Sequence, residues 1–257
     1  MAGAGTGQLT DTAIWRLMPD PQTDPLSDTE MLDLYAPPEA PLFTRANFIS
    51  SADGAATVGG KSGGLNSPSD KRVFDLLRVV CDAVVVGAGT LREEGYGPMV
   101  ADPDQQAARV RAGRSAHPAL VAVSRRLDLD PQAPMFVNAP VQPYVLTCES
   151  SPVAVRERLS DVATVLVAGT TTVDFAAAWP LLAGAGLDAL LCEGGPHLLG
   201  SLGEAGLLNE LCLTLAPKLA GPGAGRIVAG DQFGPVDMTL MHVLHSARGE
   251  LFLRYAR

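Results

Sequence analysis

The sequence predicts an α/β fold: a mostly parallel central sheet with helices on both faces and an antiparallel hairpin at its C-terminal end. Three observations predict it. Short apolar, β-branched runs alternate with helically spaced segments between residues 45 and 216, the pattern of parallel strands joined by crossover helices. Two of those runs, Asp82–Val86 and Asp188–Cys192, end at glycine turns from which a helix starts. Thr239–Ser246 and Glu250–Tyr255 alternate about Ala247-Arg248-Gly249, as the arms of a hairpin do. With 257 residues, 47% hydrophobic and 18% charged, the chain can bury one sizeable core.

The elements follow in order. Residues 1–40 read as a peripheral segment, turn-rich with a short helix around Ser27–Tyr35, ahead of a single domain over residues 41–257. Arg45–Ser50 is a strand, Ala55–Val58 a short returning strand, and Gly59–Gly64 a loop with four glycines. That loop contains Gly60-Lys61-Ser62, but Ala55 stands where a P-loop needs glycine, so it is not one. Ser67 as N-cap, Pro68 at the first helical position and Asp70 at the third open a helix. Val73, Leu76, Leu77 and Val80 give it one apolar face. Residues 95–118 read as a long surface segment. Strands at 119–123, 143–147 and 163–168 alternate with helices at 152–160 and 173–182, and a strand at Glu210–Ala216 follows the helix that starts at Pro196.

Composition narrows the function. A net charge of −9 offers no basic footprint for nucleic acid. Cys81, Cys148, Cys192 and Cys212 lie in apolar surroundings without a C-x-x-C, which fits buried thiols in a reducing cytoplasm. The four histidines show no ligand spacing, so no metal is expected. Residues 1–25 do not form a secretory signal and no run could span a membrane, so a soluble, cytoplasmic protein is expected.

The chemistry gathers at strand ends. Gly87-Ala88-Gly89-Thr90, Ser124-Arg125-Arg126 and Glu193-Gly194-Gly195-Pro196-His197 would line one crevice of a doubly wound sheet. Unpaired amides at a helix start favour a phosphate, and Pro196 has no N–H to waste there. Glu193 ends an apolar strand, where a carboxylate is costly unless it serves a ligand or a partner. The spacing is not G-x-G-x-x-G, so the residues alone reach a nucleotide- or phosphate-binding α/β enzyme.

The chain also resembles a family. Arg45-Ala46-Asn47-Phe48-Ile49-Ser50-Ser51-Ala52-Asp53-Gly54, Gly60-Lys61-Ser62-Gly63, Leu77-Arg78, Asp82-Ala83-Val84-Val85-Val86-Gly87-Ala88-Gly89-Thr90, Glu193-Gly194-Gly195-Pro196 and Leu215-Ala216-Pro217-Lys218-Leu219-Ala220-Gly221 occur in order. Together they resemble the reductase domain of bacterial riboflavin biosynthesis, the RibD C-terminal or pyrimidine reductase family, which has a dihydrofolate reductase-like fold. The H-x-E and P-C-x-x-C of its companion deaminase are not found. The resemblance implies an NADPH-dependent reductase of a pyrimidine or pteridine, with 5-amino-6-(5-phosphoribosylamino)uracil the leading substrate, and a homodimer. It implies that Ser50, Gly87, Gly89 and Thr90 touch the cofactor, with Glu94 close by. Gly194, Gly195, Pro196, His197, Leu198, Leu199, Gly200 and Ser201 would carry its pyrophosphate, and Ser124 and Arg125 the 2′-phosphate. Ser62, Asn66, Arg78 and Glu193 would face the substrate, with Glu193 as a catalytic residue; Asp70 is a candidate for both roles through a separate resemblance, to dihydrofolate reductases.

Three positions depart from the family. Ala101 stands where an arginine for the ribose phosphate is usual, and Gly64 where an aromatic residue is expected. Asp70 stands where dihydrofolate reductases carry their catalytic carboxylate, yet the helix start alone gives it a capping role. A dihydrofolate reductase-like activity and a non-catalytic NADP(H)-binding protein are the alternatives these departures open.

Overall fold

A computed structural model describes residues 10–230 and 234–257. In chain order its elements are β1 (Ile14–Met18), α1 (Asp28–Tyr35), β2 (Phe43–Ser51), a 3₁₀ turn at Ser62–Gly64, α2 (Pro68–Val79), β3 (Ala83–Gly87), α3 (Ala88–Glu94) and α4 (Pro103–Arg111). Then come β4 (Ala119–Val123), α5 (Pro134–Val137), β5 (Tyr144–Thr147), α6 (Val153–Ser160), β6 (Thr164–Val167), α7 (Phe175–Gly184), β7 (Ala189–Cys192), α8 (Pro196–Glu204), β8 (Glu210–Ala216), β9 (Thr239–Ser246) and β10 (Leu251–Ala256).

The described strands form one sheet in the order β1-β9-β10-β8-β2-β7-β3-β4-β5-β6. Neighbours from β8 to β6 are parallel, and β10, β9 and β1 close one side antiparallel. This is the dihydrofolate reductase-like architecture that the resemblance implies. The β-branched run of β3 is apolar throughout because both faces are covered: Val84 and Val86 pack with α2 and α3, Ala83 and Val85 with α7 and α8.

The sequence reading fails in three places. Residues 1–40 are not merely peripheral: Ile14–Met18 pairs with β9, and Ile14, Met31 and Tyr35 are buried in the core. Arg45 donates to the Tyr35 carbonyl (2.7 Å) and Arg254 to the Leu34 carbonyl (2.6 Å), so distant side chains cap the end of α1. Residues 55–58 form no strand; only a bridge between Val58 and Lys61 closes that loop. Residues 95–118 are not all surface. They hold α4, opened by an Asp102/Gln105 capping box with Pro103 at the first turn. Its Arg109 is fully buried and donates to the carbonyls of Arg78, Val79 and Cys81, which end α2.

Candidate active site

At the carboxyl ends of β2, β3 and β7, the start of α2 and the loop at 56–62 line a cleft. Asn47, Ile49, Ser62, Asn66, Asp70, Phe74, Thr90, Glu94, Tyr96, Glu193, Gly195 and Pro196 are among its lining residues. An open α/β sheet binds ligands at this end because its strand ends and helix starts converge there.

The two glycine turns meet at the rim. The Gly87 amide donates to the Gly194 carbonyl (2.7 Å), and the Gly194–Gly195 peptide is cis. A Cβ on Gly195 would lie 2.6 Å from Thr90 Oγ1, so only glycine lets the turns touch. At the start of α8 the Leu199 amide bonds to the Gly195 carbonyl (3.1 Å), which leaves the amides of His197 and Leu198 outside the helix ladder. The amides of Leu199, Gly200 and Ser201 therefore lie beyond the part of α8 that can meet an anion. Gly200 has a packing role instead, because a Cβ there would collide with the Ala229 carbonyl. Leu198 and Leu199 turn their side chains into the core, and His197 is exposed.

Glu193 is buried and engaged. Arg78 grips it through Nε (2.7 Å) and Nη2 (2.6 Å), and Tyr96 Oη donates to Oε2 (2.9 Å). Arg78 in turn lies against the Phe74 ring, 4.2 Å from its centroid. Arg78 thus pairs across the cleft wall with Glu193, and does not line the cleft. Nor does Ser50, which is buried one residue beyond Ile49. Tyr96 escaped the sequence reading, although an aromatic between Gly95 and Gly97 signals a side chain that a bend delivers to a particular place.

Asp70 differs from Glu193. Ser67 Oγ accepts the Asp70 amide (3.1 Å), but the reciprocal bond of a capping box is not formed, and the carboxyl lines the cleft. Burial pushes its pKa up to about 6; Thr214 opposes the shift and the nearby Glu250 charge adds to it. A capping carboxylate would lie back over Ser67; this one does not.

The remaining predicted residues fall around these. Thr90 and Glu94 line the cleft, and Glu94 accepts the Ser62 amide (2.9 Å), tying the glycine loop to α3. Gly89 sits in the first turn of α3 with open space beside it. Ser124 is buried at the end of β4 and Arg125 is exposed next to it. Ala101 is buried outside the cleft, its amide on His117 Nδ1 (3.0 Å). A side chain at Gly64 would meet Val58, with a Cβ 2.8 Å from Val58 Cβ, which accounts for the missing aromatic.

A family model described as the RibD C-terminal domain matches residues 43–252. The chain belongs to this family. A 2,5-diamino-6-ribosylamino-4(3H)-pyrimidinone 5′-phosphate reductase of Methanothermobacter thermautotrophicus is 29% identical over 175 residues, covering 68% of this chain and 77% of that one. The riboflavin biosynthesis protein RibD of Mycobacterium tuberculosis is 28% identical over 195 residues, but the match takes in only 46% of that longer protein. A pyrimidine reductase-like protein of Corynebacterium diphtheriae superposes with a TM-score of 0.76 at 30% identity, over 84% of this chain and 91% of that chain. The riboflavin biosynthesis reductase of Saccharomyces cerevisiae shares the fold, with a TM-score of 0.65 at 16% identity, over 90% and 99% of the two chains.

Proposed function

We propose that the chain is an NADPH-dependent reductase of a pyrimidine or pteridine, with the ribosylamino-pyrimidine of its named relatives as the leading substrate. The observation that carries this reading is the contact of the two glycine turns at the rim of a cleft whose lining includes Asp70. The residues present fit the cofactor: Gly195 against Thr90 leaves a side-chain-free cradle, and the His197 and Leu198 amides are free to meet a pyrophosphate. The exposed Arg125 guanidinium at the end of β4 suits a 2′-phosphate. When bound, NADPH supplies hydride to a C=N-type centre.

The chain's own residues orient and protonate. Asn47, Ser62 and Asn66 offer hydrogen bonds to a heterocycle, and Phe74 supplies an apolar wall. Asp70, partly protonated near neutrality, can hold a ring or amino N–H and donate a proton to the reduced nitrogen. Glu193 holds Arg78 and Tyr96 in place through both its oxygens. The dihydrofolate reductase-like reading keeps a place because Asp70 faces the cleft.

The test measures loss of reduced-nicotinamide absorbance with the ribosylamino-pyrimidine and with dihydrofolate, for the wild type and Asp70→Asn. Turnover of the pyrimidine, reduced about a hundredfold or more in the variant, is expected. Turnover of dihydrofolate alone moves the assignment to the second reading, and tight NADPH binding with no turnover at all moves it to a non-catalytic binding protein.

A further inference from the structure

A second hollow opens beside the cleft, lined by Asn66, Ser67, Pro217, Lys218, Arg248 and Glu250. Asn66 lines both spaces, and Asp70, three residues beyond Ser67, lines the cleft. Glu250 is buried, 3% exposed, and has no part in the reaction described above. Its place follows from the hairpin. β10 pairs with β8 so that Phe252 stands opposite Thr214, and Glu250, two residues earlier, puts its side chain on the same face of the sheet as Thr214. That face carries α2, since Phe252 joins the core cluster of Val73, Leu76 and Leu77. Thr214 in turn makes a side-chain hydrogen bond to Asp70. Asp70, Thr214 and Glu250 are thus three buried polar side chains between the cleft and the hollow.

Ser246 fixes the Glu250 carboxylate. Its Oγ accepts the amides of Arg248 (3.1 Å) and Glu250 (3.3 Å), and its one proton goes to the carboxylate. The cations that line the hollow have partners elsewhere. Lys218 Nζ donates to the Gly64 carbonyl (2.8 Å), and Arg248, half exposed, lies 3.7 Å from the Asp11 carboxylate. Of the other charges around Asp70, Lys71 pairs with Asp75 and Glu193 with Arg78, while Glu94 holds the Ser62 amide and Glu93 lines the cleft. Resting on the reductase reading above, we propose that Glu250 is a positioning residue for the reaction: its charge keeps the proton on Asp70 until the reduced nitrogen takes it. An anion near a carboxyl disfavours its ionisation, and more strongly in a buried site than in water. Glu250 thus acts in the same direction as the burial that brings Asp70 to about 6, and Thr214 against both.

The experiment titrates the Asp70 carboxyl by carbon NMR of the full chain labelled at its aspartate side chains, with Asp70→Asn identifying the signal. Beside it runs the pH profile of kcat/KM for NADPH oxidation with whichever of the two heterocycles above turns over. Glu250→Gln removes the charge and keeps an acceptor for Ser246. It is expected to lower the Asp70 midpoint by roughly half a unit or more, and to move the alkaline limb of the rate profile down by the same amount. Glu250→Asp, which keeps the charge, is expected to restore most of both. If Glu250→Gln does not fold, Ser246→Ala with Glu250→Met removes donor and acceptor together and reads the same shift. An Asp70 midpoint that does not move when the Glu250 charge is lost overturns the proposal, and so does a lowered midpoint with an unchanged rate profile. Absence of turnover with either heterocycle overturns the reductase reading instead, and the NMR midpoint then upholds or overturns the link between the two acids by itself.

Discussion

Glu193 spends both oxygens on Arg78 and Tyr96, while the carboxyl of Asp70 lines the cleft with a side-chain hydrogen bond to Thr214. Removing the Glu193 charge leaves Arg78 facing a neutral amide. Glu193→Gln is therefore expected to lower the unfolding free energy by about 2 kcal/mol in urea titrations, less than a fully buried pair would lose because Arg78 keeps some contact with water. An unchanged midpoint would show that the pair contributes nothing to the wall. Asp70 makes a prediction of opposite sign. Its native pKa, about 6, lies above the value of about 4 in an unfolded chain. The native state therefore holds the proton more tightly, and stability is lost as pH rises from about 4 through 6. Asp70→Asn removes that loss, so it should exceed the wild type by on the order of 2 kcal/mol at about pH 8 and match it near pH 4. Thermal unfolding at both pH values checks this. A variant no more stable than the wild type at the higher pH would show that burial does not perturb the carboxyl.

The two glycine turns meet at the rim of the cleft, and the fit between them depends on what Gly195 lacks. Gly195→Ala brings a methyl group to 2.6 Å from Thr90 Oγ1, so the turns must part. The expected cost is about 1–3 kcal/mol in thermal unfolding, together with weaker NADPH binding by fluorescence titration. Adding Thr90→Ala should restore much of the unfolding temperature, because it removes the atom that clashes. No recovery would mean that the backbone, and not Thr90, sets the requirement for glycine.

The three parts of the fold that the sequence misreads depend on distant partners, have their local signal masked, or form no ladder of hydrogen bonds. β1 has five residues, and its place is set by pairing with β9 more than 220 positions away. α4 carried a legible start in Asp102-Pro103-Asp104-Gln105, a capping box with proline at the first turn, but its glycine- and charge-rich surroundings masked it. The 55–58 run is apolar enough for a strand, yet its hydrogen bonds are single contacts with Ser51 at the end of β2, Gly225 and Lys61, and form no ladder.

Over the whole molecule, the antiparallel side of the sheet bears on assembly. β10 is paired on both edges and β9 on both over Val243–Ser246, so a dimer formed through the late strands uses either their exposed face, where Met241 lies, or the edge of β9 at 239–242 that β1 does not reach. The homodimer that the family resemblance implies should sediment at twice the 26.7 kDa chain mass, and Met241→Asp should shift it towards the monomer. Sedimentation at the chain mass alone for the wild type would overturn that expectation. Among the described residues, no helix is long and apolar enough to cross a membrane.

The sequence by itself determined the alternation of strands and helices, the cap of α2, the hairpin and the two glycine turns. Each rests on local chemistry: periodicity over one element, a proline's fixed φ, a glycine's missing Cβ. Only the tertiary structure decided what the acids do. Glu193 and Arg78 are 115 positions apart, and nothing local told that they would neutralise each other. Asp70 had equal claim to cap or cleft until the fold placed Ile49, Thr90 and Tyr96 around the same space. A carboxylate's role depends on which charges and donors share its cavity, and those come from parts of the chain that only folding brings together.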